Sequence, residues 1–148
     1  MAFRFALAAL LRFRQSLEHQ AEILLQEANH DIEAVRKRIE HSDCALGEMA
    51  KQNADKLHSG VTAAELQFDL ISRSLLLHHR ELLHEEMIMR EEIRTQRFHS
   101  FQQARQQREV VETLRERQLE IYRQQEAWQE QRRLDDHFLL RREFLRRR

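Results

Sequence analysis

The sequence contains no proline, two glycines (Gly47 and Gly60) and one cysteine among its 148 residues. Sandwiches, barrels and doubly wound sheets reverse direction many times, and those reversals are built from Gly, Pro, Asn and Asp. This chain has material for one sharp turn. With Cys44 alone no internal disulfide can form, which fits a reducing compartment. Long apolar stretches are missing as well. The longest is Phe5-Ala6-Leu7-Ala8-Ala9-Leu10-Leu11, bracketed by Arg4 and Arg12, against the roughly 20 apolar residues that a transmembrane helix needs. A signal peptide is a weak alternative, because Arg12 and Arg14 stand where a small-residue cleavage site belongs. A transit peptide over the first 17 residues is another, but the helical pattern runs through that segment without a break. Net charge is also absent, since 25 Lys and Arg balance 25 Asp and Glu.

What remains is Glu, Arg, Gln, Leu and Ala, the composition of a long helix or coiled coil. Disordered chains this rich in charge are usually rich in Pro and Gly and poor in Leu. The expected fold is all-α: one domain over residues 1–148, a long antiparallel two-helix coiled-coil hairpin whose second helix is longer and overhangs the first. The helices are expected at about 3–58 and 62–146, with the turn at about 58–61. Each helix buries only a stripe, so stability is expected to be modest and shared with partners.

The first helix carries an apolar stripe of Leu17, Ala21, Leu24, Ala28, Ile32, Val35, Ile39, Ser42, Leu46 and Met49. Its steps of three and four give a seven-residue repeat with one stutter, at Leu24-Ala28-Ile32. Ser42 is its single polar member, and Cys44 falls outside it. Gly60 is expected to cap this helix in the left-handed region. Thr62 and Glu65 then have the spacing of a capping box, with Val61 and Leu66 at the positions of a hydrophobic staple. Gly47 reads as a tolerated weak spot. The second helix opens with a stripe of Phe68, Ile71, Leu75, His78 and Leu82, and becomes polar and glutamine-rich after Gln102. A bend near residue 60 places residue i beside residue 120 − i. The overhang then runs from about Leu119 to Arg148, roughly 40 Å at 1.5 Å per residue.

Charge is distributed unevenly. Residues 1–17 hold Arg4, Arg12 and Arg14 and no acid, and residues 137–148 hold five arginines and Glu143. Both basic segments belong to the end of the hairpin away from the turn, and an acidic body separates them in sequence. A charge run by itself is a solvated face; two of one sign at one end suggest a partner there.

Motifs for catalysis are scarce. There is no phosphate-cradling glycine loop, no cysteine pair for zinc and no defensible Ser-His-Asp order, so an enzyme is not expected, nor a cofactor. Glu27-x-x-His30 and Glu81-x-x-His84 have the spacing of carboxylate-bridged di-iron bundles, but such a site needs four inward-facing helices and further glutamates. The other histidines (His19, His41, His58, His79, His99 and His137) show no ligand spacing. The terminal arginines would suit phosphates, yet the body is acidic and no leucine zipper follows a basic helix, so nucleic acid is not expected as a partner.

The two ends of the chain carry a more specific signal. Met1-Ala2-Phe3-Arg4-Phe5-Ala6-Leu7, Leu10-Leu11-Arg12-Phe13-Arg14, Leu17-Glu18 and Gln20-Ala21-Glu22 resemble the opening of the flagellar export protein FliJ family. Leu114-Arg115-Glu116-Arg117, Glu120-Ile121-Tyr122-Arg123 and Glu130-Gln131-Arg132-Arg133-Leu134-Asp135 resemble that family's C-terminal pattern. The likeness covers the whole length. It departs at Phe13, where tyrosine is common, and in a heavier closing arginine cluster. The resemblance implies a cytoplasmic, non-enzymatic stalk of the flagellar type III export apparatus, peripheral at the inner membrane. Such a stalk inserts into the hexameric export ATPase, promotes its assembly, contacts the cytoplasmic domain of the export-gate membrane protein and escorts export chaperones. The residues assigned to the ATPase end are Phe3, Arg4, Phe5, Leu10, Phe13, Tyr122, Leu134, Asp135 and Arg141. The stripe Ile71, Leu75, His78 and Leu82 is either the gate-docking surface or the hairpin seam. The equivalent stalk of a virulence secretion system and a generic coiled-coil scaffold are the alternatives.

Overall fold

The computed structural model describes residues 3–146 as two helices, α1 (Ala8–Ser59, 52 residues) and α2 (Ala63–Arg146, 84 residues), with no strand among the described residues. They pack antiparallel, as expected. The first helix starts later than the expected residue 3. Residues 3–7 contain no Ser, Thr, Asp or Asn to accept from the first free amides, and no acid stands in the first turn. The Ala8 amide donates instead to the Phe5 carbonyl at 3.2 Å.

The link is Gly60-Val61-Thr62. Gly60 has φ 90°, the left-handed conformation that ends α1. Thr62 then caps α2. The Thr62 amide donates to Glu65 Oε2 at 3.0 Å, and the Glu65 amide donates to Thr62 Oγ1 at 3.4 Å. Val61 is half-buried, whereas Leu66 stays largely exposed.

Contacts divide the chain into two units, the stretch His19–Gln102 and the residues up to Glu18 with those from Gln103 onward. In the first unit, the ion pairs Lys56–Asp69 (2.9 Å), Asp43–Arg80 (2.5 Å), Arg38–Glu86 (2.9 Å) and Asp31–Arg90 (2.7 Å) join the helices. Asp43, expected near residue 77, therefore meets Arg80. The offset arises at the link, where Thr62 is a cap outside the helix and moves the bend toward residue 61.

The seam of this unit on α1 is Ala21, Leu25, Ala28, Ile32, Val35, Ile39, Ser42, Leu46, Met49 and Asn53, all buried or half-buried. Steps of four and three alternate without exception, so the expected stutter is absent. Leu25 occupies the place assigned to Leu24, which is 38% exposed. Adjacent leucines let the stripe be drawn either way; continuous packing against a partner helix selects the uninterrupted heptad. On α2 the seam is Asp69, Ser72, Leu76, Arg80, Leu83, Met87 and Arg90.

In the second unit, Leu11 and Val111 are buried, and Arg14, Glu18, Ala104 and Arg108 are half-buried around them. Glu18, which the apolar stripe passes over in favour of Leu17, accepts from Arg108 Nε at 2.7 Å. Every described residue of α2 beyond Tyr122 is exposed. The overhang thus begins a turn later than Leu119 and continues for about 36 Å to Arg146. No helix among the described residues is long and apolar enough to cross a membrane.

Candidate functional site

The residues assigned to the ATPase end all belong to the unit built from the N-terminal segment and the later part of α2. They separate into two groups. Phe3, Phe5 and Tyr122 are half-buried, and Phe3 packs on Tyr122 with ring centroids 5.6 Å apart and planes tilted by 51°. The Phe3–Tyr122 contact ties the segment before α1 to α2. Arg4, Leu10, Phe13, Leu134, Asp135 and Arg141 are exposed, Phe13 at 56%. The packing does not bring them to one point, because Leu134, Asp135 and Arg141 stand on the overhang beyond the reach of residues 3–13. Phe138, Arg141, Arg142 and Leu145 border a shallow depression of about 370 Å³ there.

Electrostatics fix the base of the overhang. Arg108 donates to both oxygens of Glu18 and also to Glu112, and these bonds, Glu18 foremost, hold its guanidinium above the ordinary arginine value. Arg105 keeps the Glu109 carboxyl below its usual range through a hydrogen bond one turn along α2. Tyr122 donates its hydroxyl to Glu126, which pushes the phenol pKa up.

The second assigned set, Ile71, Leu75, His78 and Leu82, lies on α2 in the other unit. Ile71, Leu75 and Leu82 are 53%, 65% and 50% exposed, and His78 is exposed beside Glu81. The seam runs instead through Ser72, Leu76 and Leu83, the last only 2% exposed. Each seam residue follows its stripe counterpart by one position, which on an α-helix is a rotation of about 100°. Phe68 and Met89 extend the exposed stripe in both directions. The alternative that these four residues form the hairpin seam is therefore overturned.

Sequence reasoning missed two features. Glu18–Arg108 escaped because a stripe search discounts charge. Val110, Leu114, Ile121 and Trp128 form an exposed apolar line on α2, with Leu114, Ile121 and Trp128 spaced by sevens, which was legible as a second heptad. The two Glu-x-x-His motifs are exposed at Glu27, His30, Glu81 and His84. Cys44 is exposed and donates to Glu48 Oε1 at 3.9 Å.

A helical hairpin with a charged overhang is shared by many coiled coils, so family membership has to come from the sequence pattern along its length. The family model described as flagellar FliJ protein matches residues 3–148. The chain belongs to the FliJ family. Membership makes it a component of the flagellar protein export apparatus, in a family whose role is non-catalytic. Comparison with curated proteins and with solved structures gives no match. Two exposed sets lie on α2, one in each unit, and the Phe3–Tyr122 pair is an internal contact of the second unit.

Proposed function

We propose that this protein is a stalk and adaptor of the flagellar type III export apparatus. Its N-terminal segment and the α2 overhang enter the hexameric export ATPase and promote its assembly and activity. The α2 stripe of Ile71, Leu75, His78 and Leu82 binds the cytoplasmic domain of the export-gate membrane protein, and export chaperones are further partners. It acts in the cytoplasm at the inner face of the membrane.

The observation carrying this reading is the overhang. Beyond Tyr122, α2 keeps Leu134, Phe138 and Leu145 exposed on one face, at spacings of four and seven, with Trp128 exposed nearer its base. Contiguous apolar surface of this kind marks an interaction site, and the interspersed Arg141, Arg142 and Arg146 favour an acidic partner.

The test mixes the full chain with the hexameric ATPase. Co-elution and faster turnover are expected, and both should be lost in a Leu134→Ser/Arg141→Glu variant whose helicity is unchanged. Absence of co-elution and of any effect on turnover by the natural sequence would overturn the stalk reading. The gate arm is separate. Leu75→Ser/Leu82→Ser is expected to abolish gate binding while leaving thermal stability within about 0.5 kcal/mol, as surface substitutions usually do; unfolding by this variant would remove the docking assignment.

A further inference from the structure

In the unit formed by His19–Gln102, the buried apolar side chains are Ala28, Ile32, Val35 and Leu83, all far from the link. Between residues 36 and 82, every one of them described, the single buried residue is Ser42, at 4% exposure. Its hydroxyl has no hydrogen-bond partner, and neither has the buried Oδ1 of Asn53 on the same seam. Polar atoms buried without a partner weaken the packing that encloses them. On α2 the corresponding stretch of seam holds Asp69 and Ser72 beside Leu76. A cleft of about 430 Å³, bordered by His41, Ser42, Ala45, Leu76 and His79, interrupts the contact between the helices, so the side chains around it lose part of their van der Waals partners. What holds this stretch is the half-buried Ile39, Leu46, Met49 and Leu76 and two ion pairs, Asp43–Arg80 and Lys56–Asp69. Asp43 and Lys56 are exposed, and pairs in contact with water are weak and screened by salt.

We infer that the arm of the hairpin next to the link, residues 42–80, opens as one cooperative unit while the packing around Val35 and Leu83 stays closed. Segments with few buried apolar contacts open at lower free energy than the core of the same fold. The two helices of the arm open together, because each buries its seam only against the other and helices draw most of their stability from such packing. Opening brings Leu46, Met49 and Leu76 into water next to the already exposed Ile71, Leu75 and Leu82. The arm is thereby a two-state element. A partner that grips Leu76 together with the exposed stripe shifts it toward the open state. The sequence hides this device, because Leu70, Leu75-Leu76-Leu77 and Leu82 supply leucines enough for a tight seam, and packing leaves all but Leu76 of them exposed. The inference concerns the hairpin alone, stands independently of the stalk reading and is tested without the ATPase.

The test is residue-resolved amide hydrogen exchange of the full chain under native conditions. Protection over residues 46–56 of α1 and 69–80 of α2 is expected to be alike, and at least about tenfold lower than over residues 28–35 and 83–87. Raising sodium chloride from about 0.05 to 0.5 M should speed exchange in the arm more than around Val35, because the arm relies on screened pairs. Asn53→Leu replaces an unpaired polar group with an apolar one in the seam. It should raise protection of the arm on both helices by at least about fivefold, the factor that roughly 1 kcal/mol gives, and leave residues 28–35 unchanged. Ser42→Ala should act in the same direction, because it removes a buried hydroxyl without a partner. Equal protection along the whole unit would overturn the inference. So would protection that rises smoothly away from Gly60 with no value shared by the two helices, or an Asn53→Leu variant that exchanges like the natural chain.

Discussion

Gly60 holds φ 90°, whereas Gly47 lies inside α1 with nothing within 4 Å of where a Cβ would stand. The same substitution therefore acts in opposite directions. Gly60→Ala is expected to destabilise by about 1 kcal/mol, the cost of forcing an L-residue into the left-handed region. Gly47→Ala is expected to stabilise by about 0.5–1 kcal/mol, because alanine loses less backbone freedom in a helix. Denaturant titration of the two variants checks both. Glu65 adds a pH dependence at the same turn. Hydrogen bonds from the Thr62 amide and hydroxyl lower its pKa. A carboxyl with a lower pKa in the folded state stabilises at pH values above its unfolded value, near 4.3, and loses that contribution as the pH falls through its folded value. The Thr62 amide NMR shift should accordingly titrate below the midpoint of a free glutamate. Both residues were legible in the sequence, since a left-handed cap and a capping box depend only on neighbours in the chain.

At the scale of the element, the two helices were legible as helices but not in their rotation. On α2, Leu75-Leu76-Leu77 and Leu82-Leu83 offer apolar side chains in more than one direction, and only the partner helix selects Leu76 and Leu83 for the seam. On α1 the same holds for Leu24 and Leu25. Glu18 and Arg108 show the reverse problem, a charged pair placed in the seam itself, with side chains 18% and 21% exposed. Glu18→Ala leaves a partly buried guanidinium short of an acceptor and is expected to cost about 1.5–3 kcal/mol, the range for hydrogen bonds to charged groups. The double variant Glu18→Leu/Arg108→Leu is expected to recover most of that loss, since well-packed apolar residues commonly replace a buried ion pair without penalty. Thermal melts of the single and double variants give the comparison. A double variant as unstable as the single one would show that the pair has no apolar substitute.

At the scale of the whole molecule, charge dominates over core. Six apolar side chains are buried among the described residues: Leu11, Ala28, Ile32, Val35, Leu83 and Val111. Four ion pairs link α1 to α2 in the His19–Gln102 unit, and Glu18–Arg108 links them in the other. Exposed pairs contribute about 0.2–1 kcal/mol each and are screened by salt. The melting temperature is therefore expected to fall by a few degrees as sodium chloride rises from about 0.05 to 0.5 M, over which screening shortens to a few ångströms. Circular dichroism at 222 nm, a wavelength that follows the helical backbone, records it. A melting temperature that rises with salt would mean that apolar packing carries the hairpin. The zero net charge conceals this distribution, with the positive excess at the two terminal segments and the negative one between them.

The sequence by itself determined that the chain is helical, that it bends once, at Gly60, and that it has the residue pattern of the FliJ family. These follow from composition, from local capping chemistry and from residues at fixed spacing, none of which needs a second helix. Tertiary structure alone decided which face of each helix is buried, that Ile71, Leu75, His78 and Leu82 stay in water, that Glu18 meets Arg108, and that His41 and His79 border one cleft. The physical reason is that an apolar helix surface is compatible with several rotations. The choice among them belongs to the helix packed against it.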